Sequence, residues 1–173
     1  MNTGELNHLL DHLPGFQGTF ASNQIPKLKL TTKNKSLICN TDPSHKPGTH
    51  WIAMNMYKKG KKNILEVFDS YGTKAKINHS KKWEIKMNKY CFQGSRSIVC
   101  GQYCVFFCHK RLLGYSFNQI VQCLKKSKNS DKLVEKYTLW LKKNLNEKMS
   151  KPCNEQYCKS KSKLTCPFKV IIK

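Results

Sequence analysis

The run Val99-Cys100-Gly101-Gln102-Tyr103-Cys104-Val105-Phe106-Phe107 and its continuation to Leu113 is too apolar on every side to lie on a surface. A helix of that character has to be buried among other elements, so it constrains the fold more than any other segment. Gly114 follows it as a natural stop. Around it the sequence predicts a hairpin: Trp51 to Met56 and Asn63 to Phe68 have strand character, and the polar stretch from Lys58 to Lys62 returns one beside the other. Trp83 to Met87 alternates like a further strand, and Tyr90-Cys91-Phe92 reads as another. Leu6, Leu9 and Leu10 are spaced for a small amphipathic helix. Ser116 is placed to cap a helix reaching about Lys126. Ser130 opens a longer helix whose Leu133, Val134, Tyr137, Trp140, Leu141 and Leu145 form a stripe expected to pack on the sheet. The expected fold class is α+β, a mixed central sheet flanked by helices, with Cys100 at the N-terminus of the buried one. A chain of 173 residues buries about 70% of its unfolded surface, enough for a single core over residues 1–149. Residues 150–173 change composition and read as a basic, cysteine-containing extension, with a last strand at Phe168 to Ile172.

Cys100 is chemically distinct because it opens its helix. A thiol attacks as the thiolate, and the unpaired N–H groups and positive dipole end of a helix favour that form. Cys104 and Cys108 lie deeper in the same helix and read as core thiols. Gly101 would let a ligand approach the backbone, and the Cys100 N–H can point at a developing oxyanion. His50 begins the first strand of the hairpin and Asp69 ends the second. Antiparallel pairing then brings them together, with Asp69 on the ring nitrogen that does not face the sulfur. Gln93 stands seven residues before Cys100, and its carboxamide is an uncharged oxyanion donor. His50, Asp69, Gln93 and Cys100 therefore supply base, orienting group, oxyanion donor and nucleophile. That set predicts cysteine proteolysis.

Charge and cysteine usage add constraints. The formal net charge is +22, a field that attracts polyanions. Lysines Lys58, Lys59, Lys61 and Lys62, with Lys81 and Lys82, are the expected nucleic-acid contacts. Lysine far outnumbers arginine and no aromatic-interleaved motif occurs, so phosphate-backbone binding without sequence reading is expected. Nine cysteines, odd in number and scattered, fit free thiols in a reducing compartment. No metal or organic cofactor is expected: Cys153, Cys158 and Cys166 have neither zinc-site spacing nor a nearby His. No secretory signal or membrane-spanning run is evident, so the Asn34-Lys35-Ser36 and Asn78-His79-Ser80 glycosylation patterns should be unused.

The order His50, Asp69, Gln93, Cys100, set in Gly-x-His-Trp-x-Ala, Phe-Asp-Ser-Tyr-Gly and Gln-Gly-x(5)-Cys-Gly-x-x-Cys, resembles the adenovirus-type cysteine endopeptidases, the adenain family. Phe16-Gln17-Gly18-Thr19-Phe20 and Ile25-Pro26 resemble that family's opening segment, so the likeness covers about residues 5 to 125. It implies that His50, Cys100 and Gln93 act as base, nucleophile and oxyanion donor. The third member of that family's triad is usually Glu, whereas Asp69 matches the related SUMO- and ubiquitin-like deconjugating proteases. The resemblance implies a viral or virus-like endopeptidase that cleaves capsid or core precursors near glycine, with DNA as a possible activator. The family's peptide activator is not supported, because Cys91 lies too close to Gln93 to match the linking cysteine. A monomer in the virion and host nucleus is expected if the chain is viral, and otherwise an intracellular one. The alternatives are a deconjugating protease of ubiquitin-like tails and a catalytically silent nucleic-acid-binding module.

Overall fold

In the computed structural model, residues 1–72 and 83–149 are described, with side chains to 146. The buried run forms α2, Cys100–Leu112, in which every residue from Tyr103 to Arg111 is buried. Its end is fixed by Gly114 at φ +95. Gly114 N–H donates to the Arg111 carbonyl and Tyr115 N–H to that of Lys110, which closes the helix in a Schellman motif. Phe106 and Phe107 are 1% and 0% exposed; each stabilises the fold by about 1.5–3 kcal/mol.

The sheet has five strands in the order β1 (Phe16–Phe20), β2 (Lys35–Asn40), β3 (Trp51–Lys59), β4 (Lys62–Phe68) and β5 (Trp83–Met87). The outer pairs, β1 with β2 and β4 with β5, are parallel, and the inner pairs are antiparallel. This is the mixed sheet that the sequence predicts. One face carries Ile38, Ala53 and Phe68 onto α2, together with α1 (Thr3–Leu10), α3 (Phe117–Lys126) and α4 (Ser130–Met149). The other buries Leu37, Cys39, Ile52, Met54, Met56, Leu65 and Val67 under Leu28, Leu30 and Trp83, with no helix among the described residues.

Three expectations are corrected. Tyr90 to Phe92 is irregular rather than a strand: among the described residues its backbone pairing is the Phe92 N–H on the Ser70 carbonyl, which the Gln93 N–H shares. The stripe of α4 packs on α2 instead of directly on the sheet: the Tyr137 ring meets Phe106 edge-on at 4.8 Å, and its hydroxyl lies 2.6 Å from His109 Nδ1. Gly101 is buried, and a Cβ there would stand 3.0 Å from Met1 Cβ and 3.4 Å from Leu6 Cδ2, so its smallness admits the N-terminal segment and not a ligand. The expected extension and final strand at 150–173, the zinc question at Cys153, Cys158 and Cys166, and Asn78, Lys81 and Lys82 all lie outside the described residues.

A buried polar cluster ties the far end of α2 to the sheet. Ser36, Asn55 and Glu66 are cross-strand neighbours in one row. Glu66 Oε2 accepts from Arg111 Nε at 2.7 Å and from Asn55 Nδ2 at 2.9 Å, and Ser36 Oγ donates to Asn55 Oδ1 at 2.8 Å. Asn34 Oδ1 accepts from Arg111 and Asn55, its Nδ2 donates to the Arg111 carbonyl, and Arg111 also donates to the Tyr115 carbonyl. With both charges hydrogen-bonded, the ion pair is satisfied despite its burial.

Candidate active site

The β3–β4 register pairs Ala53 with Phe68, which by extension sets His50 across from Tyr71 and diagonal to Asp69. Asp69 Oδ1 lies 2.8 Å from His50 Nε2 and also accepts from the Tyr71 N–H at 2.9 Å. The carboxylate is thereby aimed before it meets the ring. Asn88 fixes the backbone behind it, accepting from Asp69 N–H at 2.9 Å and donating to the Asp69 carbonyl at 2.6 Å. A Cβ on Gly72 would stand 2.6 Å from the Tyr90 carbonyl, so this turn closes only with glycine.

With Nε2 committed to Asp69, Nδ1 is the nitrogen left for sulfur. His50 and Cys100 are hydrogen-bonded, and their acidities move in opposite directions. Burial pulls the His50 pKa down, but the bonds to Asp69 and Cys100 override it and raise it to about 9. Burial pushes the Cys100 thiol up, yet His50 and the backbone N–H groups of Trp51 and Gly101 bring it below its ordinary value. The pair is therefore biased toward thiolate and imidazolium. Val99 is the N-cap of α2 and offers no capping side chain, which leaves the first N–H groups of the helix to the sulfur. Cys104 and Cys108 behave oppositely: complete burial raises both thiols. Those two are core residues, as their depth in the helix predicts.

Gln93 is 3% exposed and held at every polar atom. Its Oε1 accepts from Ser70 Oγ at 2.7 Å, which orients the amide. Its Nε2 donates to the Ser97 carbonyl at 2.6 Å and to Tyr71 Oη at 3.1 Å. The Tyr71 ring also lies against His50, centroids 4.9 Å apart. Gln93 is thus within the same cluster as His50, Asp69 and Cys100, but both of its N–H groups are engaged. Ser70, Tyr71 and Asn88 are the supporting groups that sequence reading missed. Two of the three sat in the quoted Phe-Asp-Ser-Tyr-Gly motif, and only Asn88 had no signal.

The hairpin lysines are not brought to this cluster. Lys58, Lys59, Lys61 and Lys62 are exposed at the hairpin tip, the far end of β3 and β4 from His50 and Asp69. The rise along a strand puts that tip about 30 Å away. Among the described residues no group of His, Cys, Asp and Glu is arranged to hold a metal, and no helix is long and apolar enough to cross a membrane.

No family model matches the sequence. The chain is 32% identical over 136 residues to the Protease of bovine adenovirus 4, an alignment covering 66% of this chain and 67% of that protein. Among solved structures it is similar to the crystal structure of ASFV pS273R protease, with a TM-score of 0.50 and 17% identity over 72% of this chain. A selenomethionine structure of the same ASFV protease gives a TM-score of 0.45 and 22% identity over 61% of this chain. The chain spans 58% and 43% of those two structures. The ASFV likeness is one of fold, and it agrees with the α+β architecture. The 32% identity, running through two-thirds of an adenoviral relative, places the chain in the adenovirus protease family.

Proposed function

We propose that this chain is a viral cysteine endopeptidase in which Cys100 is the nucleophile, His50 the general base and acid, Asp69 the group that orients His50, and Gln93 an oxyanion donor. The observation that carries the reading is the His50 ring joined at once to Asp69 and Cys100, with its pKa raised and that of the thiol lowered. In this scheme Cys100 Sγ adds to the scissile carbonyl carbon and the developing oxyanion takes N–H donors from the Cys100 backbone and Gln93. Collapse breaks the C–N bond as the His50 imidazolium passes its proton to the departing amine, leaving a thioester on Cys100. His50 then takes a proton from water, the hydroxide equivalent attacks the thioester, and the thiolate leaves. For Gln93 to serve, one engaged N–H has to be released. The bond to neutral Tyr71 at 3.1 Å is longer than that to the Ser97 carbonyl at 2.6 Å and is the one to yield.

The substrates of this reading are capsid or core precursor proteins, cut near glycine and met in the virion or host nucleus. A charge of +22 supports non-specific DNA as a partner. The distance of the hairpin lysines from the site favours DNA as a tether over direct contact with the chemistry. The protein is to be incubated in parallel with capsid precursors and ubiquitin-like precursors, as native chain and as Cys100→Ala. Cleavage of the former alone, lost in the variant, is the expected result. Alkylation that maps to Cys91 or Cys104 instead of Cys100 sinks the assignment. With six to ten phosphate contacts, DNA affinity should fall by about 10³- to 10⁵-fold between 50 and 200 mM salt, and salt-insensitive binding would remove DNA from the scheme.

A further inference from the structure

The segment bearing Gln93 is held from below by a residue distant in sequence. Asp131, in the first turn of α4, accepts the Gly94 N–H on Oδ2 at 3.2 Å, and the Tyr103 hydroxyl lies 2.8 Å from its Oδ1. Tyr103 has one hydroxyl proton and also stands 3.0 Å from the Phe92 carbonyl. The ionised carboxylate is the stronger acceptor. The Phe92 carbonyl is then served by Ser130 Oγ at 2.9 Å. A Cβ on Gly94 would meet Asp131 Oδ2 at 3.2 Å, so glycine is what lets the loop settle this close to the carboxylate. From above, the Ser70 carbonyl takes both the Phe92 and Gln93 N–H groups. Gln93 is thus flanked by two pinned neighbours, and Tyr103 links the pin to the helix that begins at Cys100.

We infer that Asp131 is a positioning residue for the oxyanion donor: it sets where the Gln93 amide stands relative to Cys100 by holding Gly94 and Tyr103 together. This rests on the reading of Gln93 and Cys100 given above. Asp131 acts on the Gln93 segment through Gly94 and Tyr103, so its loss is expected to reach the oxyanion while leaving the thiolate in place. A displacement of the order of 1 Å in a catalytic group costs roughly 10²-fold.

The test is a double-mutant cycle on the full chain with a peptide substrate, using Asp131→Ala and Gln93→Ala, with Tyr103→Phe as a milder variant that removes only one arm of the clamp. Asp131→Ala is expected to lower kcat by roughly 10- to 100-fold with little change in KM. The rate and pH dependence of Cys100 alkylation should stay as in the native chain, and the double variant should be no slower than Gln93→Ala alone. Tyr103→Phe should show a smaller kcat loss that likewise vanishes in the Gln93→Ala background. Losses that multiply, an alkylation profile that shifts with Asp131, or an unchanged kcat in Asp131→Ala would each overturn the inference. Failure of the underlying reading is separate: Gln93→Ala would then itself leave kcat unchanged, or Cys100→Ala would remain active.

Discussion

The two ends of α2 each bind the helix to the sheet through a charged pair, and the pairs behave differently. At the N-terminus, Cys100 and His50 are hydrogen-bonded with the thiol pKa lowered and the imidazole pKa raised, Cys100 is partly accessible, and the backbone donors around the sulfur are left unclaimed by any cap. At the C-terminus, Arg111 and Glu66 are 7% and 3% exposed at their side chains, and their polar atoms are shared among Asn34, Asn55, Tyr57 and Tyr115. Reactivity needs a pair whose protonation is balanced and whose surroundings keep room for another molecule. A buried pair whose two partners are each hydrogen-bonded to further groups serves architecture instead.

Removing one partner at each end should separate these roles most sharply. His50→Ala is expected to reduce kcat by on the order of 10⁴- to 10⁶-fold even at temperatures where the variant stays folded, although it also loses the stability that pairing with Asp69 supplies. Arg111→Ala should instead destabilise the fold by about 3–5 kcal/mol, because it strands the Glu66 charge in the interior. Its activity, assayed far below its lowered melting point, should remain. Chemical denaturation and steady-state rates on both variants measure this, and a fully stable Arg111→Ala would show that the cluster is not the structural counterpart described.

A smaller effect distinguishes the pairs by pH. His50 has its pKa raised to about 9, so its imidazolium, and the stability gained from pairing with Asp69, are present in full below pH 6.5 and lost as pH rises through about 9. Cys100 is lowered, so its thiolate survives to more acid pH than a free thiol and is lost only as pH falls further. kcat/KM should therefore be bell-shaped with an alkaline limb near 9, whereas Cys100 alkylation should fall only on the acid side. An alkylation rate that tracks an ordinary thiol would mean no ion pair. The smallest change expected is that of Tyr71→Phe, which keeps the ring against His50 and frees one Gln93 N–H. A single neutral hydrogen bond is worth about 0.5–1.5 kcal/mol, so kcat should rise or hold within tenfold, and a larger fall would give the Tyr71 hydroxyl a catalytic part of its own.

The strongly periodic or strongly apolar elements were legible before any coordinates: α2, the β3–β4 hairpin, β5, and the Ser116 and Ser130 helix starts. The hairpin alone sufficed to join His50 to Asp69, since antiparallel register is a geometric consequence of a short turn. β1 and β2 were missed. In β1, Gly18 interrupts the pattern and the pairing with β2 shifts register between Phe16 and Thr19. In β2, Lys35 and Ser36 hide a strand whose Ser36 is fully buried. Ser36 points inward because Asn55 and Glu66 wait there, a polar interior that hydrophobic periodicity cannot report. Asp131 was illegible for the related reason that its partners, Gly94 and Tyr103, come from two other segments of chain.

Asn34 also changes what can be done with the protein in the laboratory. Its Nδ2, the atom to which a glycan would attach, bonds the Arg111 carbonyl, and its Oδ1 bonds Arg111 and Asn55 at the base of α2. A sugar on that nitrogen would wedge the end of the central helix away from the sheet. Material routed through a glycosylating secretory system would therefore divide into two populations, unmodified chains that fold and modified chains that do not. The mass of Asn34 in the recovered soluble fraction would report directly which of folding and glycosylation came first.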